Sequence, residues 1–331
     1  MNARLENIQG ILEENGDFCA IIANYLNKHE RLITEEIMEE LTDGDDRYDA
    51  IAFATFLSSA FLNEGEYQDH MEREYFNRAV TKLDPWVYRD DPYYRNIKIP
   101  RIKLGDWTLG EQSYAPYEGF IWKDMTLDGY REIPNVGFFD TKFSFPAVFE
   151  KGVEWMAIKP NEIETMREPI AKAEGNALVF GLGMGYFAYM ISQKPEVKSV
   201  TIIERDEHMS SLFYEYILPQ FENKDKIRII HADAFEFMKR QHTEKYDFAF
   251  VDLWHDVSDG VELYIKMKKL EHLMPGTHFE YWIEKSILLS VRKRVFDAIC
   301  ESEALGKNTL SAGEIEKRLS LDYLKEFVKF I

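Results

Sequence analysis

From Asn176 onward the chain alternates between short apolar runs and helix-forming runs, and this alternation constrains the fold more than any other feature. "ALVF" is followed by "GYFAYMISQ", "SVTII" by "EHMSSLFYEYIL", "KIRII" by "DAFEFMKRQ", and "YDFAFV" by "GVELYIKMKKLEHL". A Pro275-Gly276 turn then opens a fifth apolar run, "THFEYWI". Apolar runs this short, rich in β-branched residues, read as strands buried on both faces. Five of them separated by helices imply an α/β fold, a doubly wound and mostly parallel sheet. Its ligand site is expected at the carboxyl ends of the strands, where the strand order changes direction.

Upstream the texture differs. Residues 1–85 read as a helical N-terminal region. In "RLITEEIMEELTDGDD" Thr34 is an N-cap, Ile33, Ile37 and Leu41 recur every fourth residue, and the Asp43-Gly44-Asp45-Asp46 cluster stops the helix. "YDAIAFATFLSSAFLNEG" is apolar nearly all round and reads as a buried helix, followed by another over residues 64–83. His70, in the latter, is read as a surface or packing residue, and no HExxH-type metal spacing occurs. Residues 86–160 are rich in aromatics, prolines and glycines, with short runs such as "NIKIPRIKL" and "YEGFIWKDMTLDG", and read as a small β-rich region. Residues 161–331 are then the nucleotide-binding domain with a helical C-terminal extension.

A formal charge of −19, from 40 basic and 59 acidic residues, opposes association with nucleic acid and anionic membranes. The same acidity is compatible with a cationic acceptor. No apolar run approaches the ~20 residues of a membrane span, and the acidic, amphipathic start lacks the features of a secretory signal. The expected location is the cytoplasm. Cys19 and Cys300 lie far apart within helical patterns and read as buried thiols rather than a disulfide or a metal site. No metal is expected.

Gly181, Gly183 and Gly185 occupy alternate positions between the first strand and its helix. The dinucleotide fingerprint places its third glycine at the position of Tyr186, so the match to it fails there. Three glycines in alternation leave backbone accessible, with N–H groups directed at a carboxylate or a phosphate. The strands that follow each end in an acid. Glu204 closes "IIERD", where a carboxylate accepts from ribose hydroxyls. Asp233 in "IIHADAF" is placed for an adenine amino group, and Asp252 in "FVDLWHD" lies over the middle of the site. Any one of these acids alone also reads as a helix N-cap.

As a set, these residues resemble the core of the class I S-adenosylmethionine-dependent methyltransferases, a Rossmann-like fold. "VFGLGMG" is similar to the family's first motif, "HADAF" to its adenine contact, "YDFAFVDLW" to its fourth-strand motif, and "LMPGTHFEYWI" to its entry into strand five. The resemblance spans residues 176–283. It implies S-adenosylmethionine as cofactor, with Gly181, Gly183 and Gly185 facing the methionine moiety, Glu204 the ribose, Asp233 and Ala234 the adenine, and Asp252 the ammonium or the reacting centre. The sequence departs from the family at Val179, where many members carry an acid, and in its helical reading after Lys285, which leaves no closing hairpin.

The layout also resembles the spermidine synthases, which carry a small β domain before the same core. Three motifs differ. Met184 stands where that family has an Asp for the aminopropyl ammonium. "DLWHDVSD" lacks the Asp-x-x-Asp-Pro spacing, and only "EIETMRE" corresponds to the Tyr-His-Glu segment. The function expected is therefore methyl transfer to an unidentified small-molecule or protein acceptor, with Asp252, His255 and Asp256 as acid–base candidates. The alternatives are a spermidine synthase-like aminopropyltransferase and a non-catalytic interaction protein on a nucleotide-binding scaffold. An oligomer is compatible with either.

Overall fold

A computed structural model describes residues 3–61, 70–240, 244–306 and 310–331. In chain order they form helices α1 (Ala3–Lys28), α2 (Glu35–Thr42), α3 (Asp49–Phe61) and α4 (His70–Ala79), strand β1 (Val80–Lys82), and short helices α5 (Pro85–Arg89) and α6 (Pro92–Asn96). Strands β2 (Ile102–Leu104), β3 (Trp107–Tyr114), β4 (Phe120–Asp128), β5 (Arg131–Phe138), β6 (Phe143–Glu150) and β7 (Val153–Ala157) follow, then α7 (Pro160–Lys172). The alternating part comprises β8 (Gly175–Phe180), α8 (Tyr186–Ser192), β9 (Val197–Glu204), α9 (Glu207–Leu212), β10 (Ile227–His231), α10 (Ala234–Met238), β11 (Phe248–Val251), α11 (Val257–Lys268) and β12 (His278–Tyr281). Helices α12 (Glu284–Ala304), α13 (Ala312–Leu319) and α14 (Leu321–Phe327) close the chain. The start of the helix expected over residues 64–83, with the His70 side chain, lies outside the described residues.

One unit comprises Met1–Arg89, Gln112–Phe145 and Lys159–Asn161. Its core gathers Phe18, Tyr25, Phe53, Phe76, Val136 and Phe138 over the three-stranded sheet β1-β5-β4. Thr34 caps α2, its hydroxyl accepting from the Ile37 N–H at 3.4 Å. The face this cap buries differs from the every-fourth pattern of Ile33, Ile37 and Leu41. Ile33 and Met38 are 1% and 0% exposed, whereas Leu41 is 50% exposed. Residues just before the cap and four into the helix form a hydrophobic staple, and that pair sets the rotation of α2. Helix α3 likewise buries one face, Phe53, Ala54 and Leu57, and leaves Ile51 in solvent.

The second unit comprises Asp90–Glu111, Pro146–Ile158 and Glu162–Ile331. Its five-stranded sheet runs β10-β9-β8-β11-β12, with every adjacent pair parallel. The chain winds outward from β8 through β9 to β10, then returns to the other side of β8 for β11 and β12. Right-handed crossovers running in opposite directions put helices on opposite faces, which is the Rossmann-like arrangement. Strand β11 is buried along its whole length, and the Phe187 ring of α8 stacks on Phe250 at 3.9 Å.

"Mostly parallel" describes this sheet and not the chain. The four-stranded sheet β2-β3-β6-β7, and the β4–β5 pair of the first unit, are built on antiparallel hairpins, with β1–β5 a parallel exception. The reason is local. Lys151 and Gly152 both adopt positive φ, 51° and 84°, between β6 and β7, the two-residue turn that joins antiparallel strands. Residues 86–96, expected in the region of short strands, instead lie mostly in α5 and α6. Each begins Asp-Pro, and Asp91 accepts from the Tyr93 N–H at 2.8 Å, an N-cap followed by proline at the first helical position.

Among the described residues no strand follows β12. The C-terminal helices are fastened by charge. Lys268 of α11, with a side chain 2% exposed, lies 2.7 Å from Glu271 and 3.8 Å from Glu284. Tyr281 and Tyr264 donate to the same two carboxylates at 2.9 and 2.8 Å. From α14, Lys325 reaches Glu284 at 2.7 Å, and just beyond that helix Lys329 reaches Glu271 at 3.3 Å. Removing one partner of a buried cluster strands the remaining charges. Lys268→Ala is therefore expected to lower stability by about 3 kcal/mol or more in urea denaturation. Lys239→Ala, which breaks an exposed pair with Glu236, should change it by less than about 0.5 kcal/mol.

Candidate functional site

The site is built at the switch point of the parallel sheet. Phe180, the last residue of β8, pairs with Ile203 on one side and Val251 on the other. One step further, the Gly181 N–H donates to the Ile203 carbonyl at 3.0 Å, and the Asp252 N–H to the Phe180 carbonyl at 2.9 Å. Glu204 and Asp252 are thus the residues flanking Gly181 as the chain leaves the sheet.

The three glycines have positive φ of 97°, 50° and 76°, and close approach by protein explains two of them. A Cβ on Gly181 would lie 2.0 Å from the Asp252 carbonyl oxygen, and one on Gly185 2.3 Å from the Phe213 ring. At Gly183 the neighbour is the flexible thioether of Met156, 2.8 Å from the Cβ position. The backbone expected to stay accessible over three residues therefore narrows to the middle one. Within the turn the Leu182 N–H donates to Glu204, and the Gly185 N–H to the Leu182 carbonyl. The N–H groups of Gly183 and Met184 meet no acceptor among the described residues.

An aromatic bracket seats the turn. The Tyr93 hydroxyl donates to the Met184 carbonyl at 2.6 Å, and Tyr186 donates to Asp91 at 3.0 Å. Tyr186 fills the place of a third fingerprint glycine, and its hydroxyl finds its partner on the loop leading into α6. Desolvation raises the Asp91 carboxyl above its usual range, against the lowering effect of these hydrogen bonds.

The strand-end acids divide into different environments. Glu204 is 7% exposed, and both of its oxygens are engaged by backbone. Oε2 accepts from Leu182 N–H at 3.0 Å, and Oε1 from Asp206 N–H at 2.7 Å. Each oxygen retains a second lone pair. Asp252 is only partly covered as a residue, yet its carboxyl is enclosed enough that desolvation dominates. With the charge of Glu204 as the second cause, its pKa is pushed up to about 7. No hydrogen bond to this carboxyl occurs among the described residues.

Asp233 caps α10, with Oδ1 accepting from the N–H groups of Phe235 and Glu236, both at 2.9 Å. Ala234 is the first residue of that helix. His255 and Asp256 are exposed and belong to the start of α11. Asp256 accepts from the Ser258 N–H at 2.6 Å, and His255 Nδ1 lies 3.2 Å from Asp259. The structure therefore brings Gly181, Gly183, Glu204 and Asp252 together around one turn, and engages Asp256, His255 and one oxygen of Asp233 in helix starts. Sequence reasoning missed Met156, Phe213 and the Asp91–Tyr93–Tyr186 bracket. The repeated Asp-Pro pair signalled the short helices, but nothing local signalled where they dock.

Cys19 and Cys300 are not joined in a disulfide, and both are half-buried rather than fully buried. Among the described residues no group of three or more His, Cys, Asp or Glu is arranged to hold a metal. No described helix is long and apolar enough to cross a membrane.

No family model and no curated protein matches the chain. Similar solved structures include a spermidine synthase from Thermotoga maritima, at a TM-score of 0.31 and 12% identity, over 42% of this chain and 52% of that one. Another is a spermidine synthase in complex with the transition-state analogue AdoDATO, at a TM-score of 0.33 and 13% identity, over 42% of this chain and 54% of that one. The chain thus spans about half the length of these structures. The Rossmann-like assignment rests on the strand order and not on these partial superpositions.

Two measurements check the site's construction. Gly181→Ala meets a backbone oxygen as well as an unfavourable φ, and is expected to cost upward of about 4 kcal/mol in urea denaturation. Gly276, at φ 92° with nothing within 4 Å, separates the two effects; Gly276→Ala should cost only about 1–2 kcal/mol. For Asp252, the folded-state pKa lies above the ordinary 3.8, so the folded state holds the proton more tightly. Stability then falls as pH rises from about 4 to about 7 and stays reduced above. Asp252→Asn should match the parent near pH 4 and exceed it by roughly 2–4 kcal/mol near pH 8.

Proposed function

We propose that the chain is a transferase that takes S-adenosylmethionine as donor and passes its methyl group to an amine acceptor. The observation that carries this is the division of labour at the Gly181 turn: a pinned carboxylate, Glu204, beside a second one, Asp252, which has no hydrogen-bond partner among the described residues. Gly183, the accessible residue of the turn, offers the donor's carboxylate an N–H group that meets no acceptor among the described residues. Glu204 would accept ribose hydroxyls on its remaining lone pairs, and Asp233 Oδ2 with Ala234 would meet the adenine. The donor supplies a carbon that is already activated, so little covalent help is needed. What the chain adds is a base of matched strength. An acid titrating near neutrality is suited to take a proton from an incoming ammonium. His255 and Asp256 are not required for this step.

Met184 is uncharged and 0% exposed, so it provides no counter-charge for the amine of a decarboxylated donor. A second reading, aminopropyl transfer, is favoured by the acidity of the same corner, since two carboxylates suit an ammonium. Calorimetric titration should show binding of S-adenosylmethionine and S-adenosylhomocysteine and none of NAD. Competition should favour S-adenosylmethionine over its decarboxylated form. Silence towards both adenosyl compounds, or tight NAD binding, overturns the proposal. Preference for the decarboxylated donor with aminopropyl transfer to putrescine promotes the second reading, and binding without turnover on any amine promotes the scaffold reading.

A further inference from the structure

We propose that the Glu204–Asp252 pair distinguishes the sulfonium donor from its thioether product: the two carboxylates border the Gly181 turn from both sides, and a fixed positive charge that docks there is answered by Asp252, the one with no hydrogen bond among the described residues. The inference rests on the adenosyl-binding reading above and extends it to the protonation state of the site.

The geometry is set by register. Glu204 and Asp252 lie one step past Ile203 and Val251, the two partners of Phe180, so they border Gly181 from both sides. Adjacent strands are about 4.8 Å apart, so two backbones flanking a third are about 10 Å apart, well within reach of each other's charge when shielded from water. The partners of the two acids are unequal. Glu204 receives two backbone N–H groups. Asp252 receives none, and its carboxyl is pushed up by burial and then by Glu204.

Other groups near Asp252 do not offset this. The turn after β8 presents the uncharged Gly181, whose Cβ position lies 2.0 Å from the Asp252 carbonyl oxygen, and the charge that acts on the Asp252 carboxyl is that of Glu204. On the loop into α11, His255 is turned to Asp259, and Asp256 caps the Ser258 N–H. A cation arriving from outside is then the group that can hold Asp252 ionised. The step is balanced as the loss of one H⁺ from the carboxyl to buffer, with no other bond changed.

S-adenosylmethionine and S-adenosylhomocysteine share adenosine, amine and carboxylate, and differ by one methyl group and one positive charge. Once the alkyl group has left, the neutral thioether no longer holds Asp252 ionised. The carboxyl regains its proton, and the product loses the attraction that seated the donor.

Titration calorimetry of the full chain near pH 6.5, in two buffers of different ionisation enthalpy, counts the protons. S-adenosylmethionine should release about half a proton or more per site, and S-adenosylhomocysteine close to none. The affinity ratio of donor to product should rise about tenfold between pH 6 and pH 8. Asp252→Asn should abolish both effects, and the comparison of the two ligands on the unmodified chain stands without that variant. Equal proton counts for both ligands, or a count that persists in Asp252→Asn, overturns this inference alone. Absence of binding by both ligands overturns the adenosyl reading, and this inference with it.

Discussion

The carboxylate of Glu204 ties together two loops at the carboxyl edge of the parallel sheet. One oxygen ties down the turn after β8 through Leu182 N–H, and the other the start of α9 through Asp206 N–H. Asp206 in turn caps α9 by accepting from His208 and Met209, both at 2.9 Å. Two loops and one helix start thus depend on an acid that is almost wholly out of solvent. Hydrogen bonds to a charged acceptor are each worth about 1.5–3 kcal/mol, and more is lost when a buried donor is orphaned. The same arrangement fixes a negative charge beside Asp252. Architecture and chemistry share one residue, so a substitution there disturbs both.

The parallel sheet was readable because its strands other than the edge strand β10 are largely buried on both faces. Burial of that kind leaves an unbroken apolar run in the sequence. The antiparallel region was readable only as a texture. Its strand pairs shift register at irregular points, several strands are exposed along part of their length, and Asp-Pro pairs that start single-turn helices resemble the breaks between strands. In α2 the every-fourth pattern pointed to Leu41, yet the staple between Ile33 and Met38 decided which side turns inward. A one-position rotation of a helix leaves the period unchanged, so periodicity alone does not fix the buried face.

At the site, position was legible and role was not. Glu204, Asp233 and Asp252 each follow a strand, and a strand end followed by a helix places any acid where it can cap, bind or react. Asp233 and Asp256 accept from N–H groups two residues onward, which is a local matter. Glu204 and Asp252 differ because of what lies across the sheet, and that depends on strand order. The glycines carry the same lesson. Gly181 and Gly185 are required by the Asp252 carbonyl and the Phe213 ring, contacts made over roughly 70 and 30 residues of chain that no local pattern announces.

The fastening of the C-terminal helices has a kinetic consequence. The parallel sheet is held by apolar burial, which added salt does not weaken, whereas the end of the chain adds to its buried Leu324 and Val328 the ion pairs of Lys325 and Lys329, which are partly open to water. Screening acts on those pairs first. Rising ionic strength should therefore uncouple α14 from the sheet as a separate opening event, with amide exchange quickening along residues 321–327 while β8 and β11 stay protected. The chain would then have two thresholds of cooperativity, one set by salt and one by temperature.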